Sequence, residues 1–113
     1  LYLTDFKYGN DKCAKRISLV DNYMEVVKRN HKIASENGVM IIRHLVMPNH
    51  VDCCSKPVIK WIAENLPNSV VNIMGQYRPE YRASDYDDIS MTVLIEEVLK
   101  VKDYAKELGI HEI

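Results

Sequence analysis

The stretch Val39-Met40-Ile41-Ile42-Arg43-His44-Leu45-Val46-Met47-Pro48 constrains the fold more than any other part of the chain. It follows Asn37-Gly38, a pair suited to ending a helix, and Pro48 stops it because proline cannot donate to a sheet ladder. Between those limits lie an unbroken apolar run, two charged or polar residues, and a second apolar run. So short and so apolar a segment reads as a strand buried on both faces, which is the habit of parallel sheets. Arg43 is then the anomaly. A guanidinium near the carboxyl end of a buried strand is costly unless an anion meets it. In parallel α/β folds, ligands bind at those carboxyl ends.

The flanking segments supply the rest of a β-α-β-α-β-loop-α pattern. Residues 1–8 read as a strand ending at Gly9-Asn10, with Asp5 and Lys7 on one face and Phe6 on the other. Residues 11–20 are expected to be irregular or a short helical turn. Asp21 or Asn22 can cap a helix to about Asn37, with Tyr23, Val26, Val27, Asn30, Ile33 and Ala34 at helical spacing. After Pro48, residues 49–55 read as a loop, and Ser55 as the cap of a helix with Pro57 in its first turn. Val58, Ile59, Ile62 and Leu66 form that helix's buried stripe. Val70 to Met74 is a third strand, followed by a Tyr-rich, charged loop over 75–88. Thr92 opens a last helix that Gly109 terminates. Residues 110–113 are too short to assign.

Alternating strands and helices imply one α/β domain over residues 1–113, a parallel sheet with right-handed crossovers. At 113 residues the chain is short for a complete eight-unit barrel of about 250 residues, but fits half of a smaller one. A net charge of -1 gives no argument for nucleic acid or an anionic membrane. No apolar run nears the roughly 20 residues of a membrane helix. Three cysteines do not make a disulfide framework, so a reducing cytoplasm is the simplest compartment. The opening Leu1-Tyr2-Leu3 is already strand-like, which suggests a cut through a longer protein.

Asp5 and Lys7, Arg43 and His44, and Gln76 and Tyr77 each fall at the carboxyl end of an expected strand. On one sheet edge they would supply an acid, cations and hydrogen-bonding groups suited to a zwitterionic or phosphorylated small molecule. The plainer alternative is that these are ordinary solvated strand ends. His44, His50, Asp52, Cys53 and Cys54 are ligand types within one stretch, but adjacent cysteines tend to point apart. No C-x-x-C or H-x-x-x-H spacing occurs, so no metal site is expected here. Cys13 is expected to be a packed, idle thiol.

Three segments carry a resemblance. Asp5-Phe6-Lys7 resembles the D-x-K motif of glycyl-radical-enzyme activating enzymes, the group that includes pyruvate formate-lyase activating enzyme. Arg43 to Pro48 resembles their R-x-x-x-P strand. Asn72 to Tyr81 resembles the sixth-strand segment of an uncharacterised, related subgroup of radical S-adenosylmethionine proteins. The resemblance covers nearly all of the chain and implies strands four to six, the C-terminal half, of a partial (β/α)6 TIM-type barrel. In that superfamily a [4Fe–4S] cluster cleaves S-adenosylmethionine to a radical that abstracts hydrogen from a substrate or partner protein.

By that resemblance, Asp5, Lys7 and Arg43 would contact the amino-acid or ribose part of S-adenosylmethionine, His44 beside Arg43 would be a further cofactor-binding residue, and Gln76 and Tyr77 would line the adenosine side. The cluster motif C-x-x-x-C-x-x-C is absent, as is the segment that binds the methionyl amine; both belong to the first half of such a barrel. The chain alone is therefore expected to be inactive, and to self-associate or pair with the missing N-terminal half, because a half-barrel exposes sheet edges. Asn49 stands where these enzymes often carry glycine, and Gln76-Tyr77 where they carry a tyrosine-histidine pair, which leaves the substrate open. Two rivals remain: a stand-alone module binding an anionic small molecule, and a metal-dependent hydrolase using His44, His50 and Asp52.

Overall fold

Strand alternation organises the molecule. In the computed structural model, which describes residues 2–77 and 85–113, every second residue of the central strand points into a helix-covered core. The strands are β1 (Tyr2–Asp5), β2 (Met40–Leu45), β3 (Val70–Met74) and β4 (His111–Glu112). They form one sheet in the order β1-β2-β3-β4, with all three pairings parallel. The helices are α1 (Asp11–Ser18), α2 (Tyr23–Asn37), α3 (Lys56–Asn65) and α4 (Ile95–Glu107). The chain is thus an α/β protein with a four-stranded parallel sheet. Among the described residues, no helix is long and apolar enough to cross a membrane.

The main core packs Met40, Ile42, Val71 and Ile73 against Val58, Ile59 and Ile62 of α3 and Val101 and Ala105 of α4. Phe6 is fully buried there, with its ring 5.2 Å from His31 and 5.7 Å from Trp61. The α3 stripe read from the sequence, Val58, Ile59, Ile62 and Leu66, faces this core throughout, and on α4 Val98, Val101 and Ala105 do so while Leu94 and Leu108 are exposed. The opposite sheet face differs from expectation. Ile41, Arg43, Leu45, Val70, Asn72 and Met74 are only half-buried, so β2 and β3 are covered on one side rather than both.

Several boundaries move. Residues 11–18 form a true helix, because Asn10 Oδ1 accepts from the Cys13 amide as an N-cap. The expected loop after Pro48 contains a π-helical turn, Val51–Ser55, that runs straight into α3. Ser55 is helical and is no cap; its hydroxyl is spent on His44. Thr92 does not cap α4 either. Leu94 is the N-cap residue, and Glu97 reaches back to accept from its amide over 3.1 Å. The same carboxylate accepts from the Asn49 amide over 2.7 Å, tying α4 to the turn after β2. Part of the loop expected over 75–88 lies outside the described residues, at 78–84; within the rest, Asp87–Ile89 is a single 3-10 turn.

A second, smaller cluster closes the carboxyl end of the sheet. Tyr8, Ala14, Met47, Cys54, Tyr77 and Ile89 bring together the connections that follow β1, β2 and β3.

Candidate functional site

Register sets the geometry of the first candidate site. Asp5 of β1 partners Arg43 of β2, and Arg43 partners Asn72 of β3. Partners in a parallel ladder share a face, so a carboxylate, a guanidinium and a carboxamide form one row across three strands. Arg43 Nε donates to Asp5 Oδ1 over 2.8 Å, and Nη2 donates to Oδ2 over 3.2 Å. Asp5, Lys7, Arg43, Leu45 and Met74 line a cavity of about 240 Å³ on that face. Burial pushes the Lys7 ammonium below its usual value, against the opposing pull of Asp5. The row is therefore an acid held by one cation with a second cation beside it. Asn72 belongs to it and was not singled out in the sequence. Reading the strands in parallel register would have found it.

Two residues expected at this rim are elsewhere. His44 follows Arg43, so period two turns it to the opposite face. Its imidazole is fully buried: Nδ1 lies 2.7 Å from the Phe6 carbonyl and Nε2 2.7 Å from Ser55 Oγ. Burial holds its pKa down to about 4, so it is a neutral core residue and not a cofactor contact. Tyr77 is also buried, in the smaller cluster, and its hydroxyl donates to the Ile89 carbonyl over 2.8 Å. Gln76 is exposed just beyond the end of β3. The hydrolase constellation does not assemble either, since Asp52 is exposed and pairs with Lys56.

The second candidate site was missed. Cys13, His50, Cys53 and Cys54 place their ligand atoms within 4.8 Å of one another. His50 Nδ1 lies 3.1 Å from Cys53 Sγ, 3.7 Å from Cys54 Sγ and 3.9 Å from Cys13 Sγ. Cys53 Sγ lies 3.9 Å from Cys13 Sγ and 3.7 Å from Cys54 Sγ. Cys13 arrives on the first turn of α1, and the other three on the π-turn and the residue before it. The two loops touch because Gly9 has no side chain: a Cβ there would stand 2.7 Å from backbone atoms of Cys53 and Cys54. Asn10 Nδ2 donates to the Cys53 carbonyl over 2.8 Å, fixing the same approach. Burial raises the Cys53 and Cys54 thiols, while a backbone hydrogen bond from Gly9 favours the charged form of Cys54. The far nitrogen of His50 meets Asp88 Oδ2 at 2.7 Å, and Arg16 holds that carboxylate through both of its terminal nitrogens.

Over 110 residues the chain is 49% identical to the uncharacterized protein MJ0674 of Methanocaldococcus jannaschii. The match covers 97% of this chain and 32% of that protein, so the chain spans about a third of its relative's length. No family model matches the sequence, and no solved structure matches it.

Proposed function

We propose that this chain is part of a radical S-adenosylmethionine iron–sulfur oxidoreductase resembling pyruvate formate-lyase activating enzyme, and that it supplies part of the S-adenosylmethionine pocket. The observation that carries the reading is the meeting of Asp5, Lys7 and Arg43 in one cavity at the carboxyl ends of parallel strands. These are the residues of the D-x-K and R-x-x-x-P resemblances, and they lie 38 positions apart in sequence at the Asp5–Arg43 contact. A ligand with an amino group and a carboxylate suits such a mixed set. Two N–H directions of Arg43 are used on Asp5, and a guanidinium carries five, so donors remain for an incoming anion.

Strand order supports the barrel half of the proposal. A doubly wound sheet reverses direction at a switch point, whereas β1-β2-β3-β4 runs in one direction throughout. That winding is compatible with a barrel segment, here strands four to six plus a short edge. The half-buried face carrying Ile41, Val70 and Met74 would be its interior, to be covered by the preceding half. A reducing cytoplasm is the matching compartment.

The cluster does not fit on this chain. Its motif requires three thiolates on one loop, and here the cysteines sit on two loops with a vicinal pair. No chemical step is therefore assigned to a cluster within these residues. The test is anaerobic iron–sulfur reconstitution of the longer polypeptide containing this segment, followed by assay for 5′-deoxyadenosine under a strong reductant. Formation of 5′-deoxyadenosine by the longer protein, and none by the 113-residue chain, is expected. A longer protein that takes up no cluster and makes no 5′-deoxyadenosine would leave the module that binds an anionic small molecule as the better reading.

A further inference from the structure

We propose that Cys13, His50, Cys53 and Cys54 are the four ligands of a structural zinc ion that staples the β1–α1 connection to the β2–α3 connection. This assignment is independent of the S-adenosylmethionine reading and concerns other residues.

Geometry carries it. Zinc takes sulfur at about 2.3 Å and imidazole nitrogen at about 2.0–2.1 Å, usually in a tetrahedron. Those radii set tetrahedral edges of about 3.8 Å between sulfurs and about 3.6 Å between sulfur and nitrogen. Two of the three sulfur–sulfur separations are 3.9 and 3.7 Å, the third, Cys13 to Cys54, lies within 4.8 Å, and two sulfur–nitrogen separations are 3.7 and 3.9 Å. Cys53 Sγ to His50 Nδ1, at 3.1 Å, must open by about half an ångström to reach that edge, and Cys13 Sγ and Cys54 Sγ have at most about one ångström to close. A four-iron cluster binds each cysteine to a different iron and spreads the sulfurs wider than one ion does. Soft thiolates with one imidazole in a tetrahedral set select zinc among single divalent ions. Four protein ligands leave no open position, which is the mark of a structural site rather than a catalytic one.

The surroundings are those of a ligand set. A metal-bound histidine characteristically donates its other ring N–H to a carboxylate, which fixes the tautomer. His50 does this with Asp88, and Arg16 anchors Asp88 in turn. Three thiolates on a divalent ion leave a net negative charge. Cys13 sits on the first turn of α1, where helix amides favour negative charge, and a Gly9 backbone hydrogen bond supports Cys54. The π-turn gives the vicinal pair its reach, since it brings the Cys53 and Cys54 sulfurs to 3.7 Å instead of splaying them. Such an ion would pin two strand-end loops directly and, through Asp88, the segment following β3.

The experiment is elemental analysis of protein purified under reducing conditions without chelator, joined to alkylation of its thiols mapped by peptide mass. One zinc per chain is expected. Cys13, Cys53 and Cys54 should resist alkylation together and become reactive together once a strong chelator removes the ion. Cobalt substitution should give the intense visible bands of a tetrahedral site. Cys13→Ser should lower sulfur-to-cobalt charge transfer by about a third, one thiolate of three. Asp88→Asn should weaken zinc affinity about 10- to 100-fold while leaving stoichiometry at saturation unchanged. Protein that holds no zinc, thiols that react equally with and without chelator, or a Cys13–Cys53 disulfide in the reduced preparation would overturn the assignment. So would iron with labile sulfide bound at these cysteines, or a single fast-reacting thiol indifferent to the chelator. The wild-type measurements decide the matter even if a variant fails to fold.

Discussion

Asp5 and Arg43 face each other as register partners on adjacent parallel strands, and the guanidinium grips the carboxylate through two of its nitrogens. Both side chains keep substantial solvent access, 65% and 39%. Exposed pairs of this kind contribute at most about 1 kcal/mol. The pair is therefore a poor explanation of stability and a better one of a held anion-recognition geometry. Arg43→Ala is expected to lower unfolding free energy by less than about 1 kcal/mol. It is expected to weaken S-adenosylmethionine binding by about tenfold to a hundredfold, the worth of a charge-assisted hydrogen bond. Urea titration and calorimetric titration with S-adenosylmethionine give the two numbers. Unchanged binding with intact folding would remove Arg43 from the pocket.

Much of this was legible in the sequence because period and punctuation are local signals. Gly38 and Pro48 bracket β2, the stripe of α3 faces the core, and Asp5 and Lys7 take the face opposite Phe6. The failures come from three sources. His44 was grouped with Arg43 although strand alternation alone puts neighbours on opposite faces, and here it is buried against Phe6 and Ser55. The π-turn has no period to detect, so Cys53 and Cys54 were judged to diverge. Cys13 joins them across 40 positions, which no local spacing encodes. The available signal was Asn10, a cap that creates α1 and turns Cys13 into its first turn.

His44 makes stability depend on pH. Its folded value lies near 4, below the 6.5 of an unperturbed imidazole, because burial disfavours the cation. Above pH 6.5 both states are neutral and the residue adds no pH dependence. As pH falls from 6.5 to about 4 the unfolded chain takes up a proton that the folded chain refuses, so stability declines. The loss over that window is about 3 kcal/mol, levelling off below it. His31, also lowered chiefly by burial, acts with the same sign. Denaturant titrations at pH 7.5, 5.5 and 4.5, with chelator present to remove metal effects, should show the decline. His44→Gln should flatten it. A variant with the wild-type slope would show that another group carries the effect.

Gly9 is the narrowest point between the loops carrying the cysteines. A methyl group there would meet the Cys53 carbonyl oxygen and two backbone atoms of Cys54, each at 2.7 Å. Backbone cannot swing aside as a side chain can, so the loops must part. Overpacking of this sort costs about 1–3 kcal/mol. Gly9→Ala is expected to lower the thermal midpoint and to reduce zinc retained after dialysis. Calorimetry and elemental analysis test the two effects separately. Normal stability with normal zinc content would mean that this contact relaxes without cost.

The sheet face that carries the Asp5–Arg43–Asn72 row also carries Leu3, Ile41, Val70 and Met74, and Ile41, Val70 and Met74 lie outside both buried clusters. Leu3 is 58% exposed. A sheet with apolar side chains on an open face is unsatisfied in water. The isolated chain is therefore expected to self-associate with rising concentration, as read by light scattering. Ile41→Lys places a charge at the centre of that face, between its register partners Leu3 and Val70, without touching the helix-covered core. It should shift the population toward monomer with little loss of helical circular dichroism. Co-expression with the preceding half of the proposed barrel should achieve the same end by covering the face, giving a one-to-one complex that Ile41→Lys disrupts. A wild-type chain that stays monomeric at high concentration, and ignores that half, would indicate that this face meets solvent in the working protein.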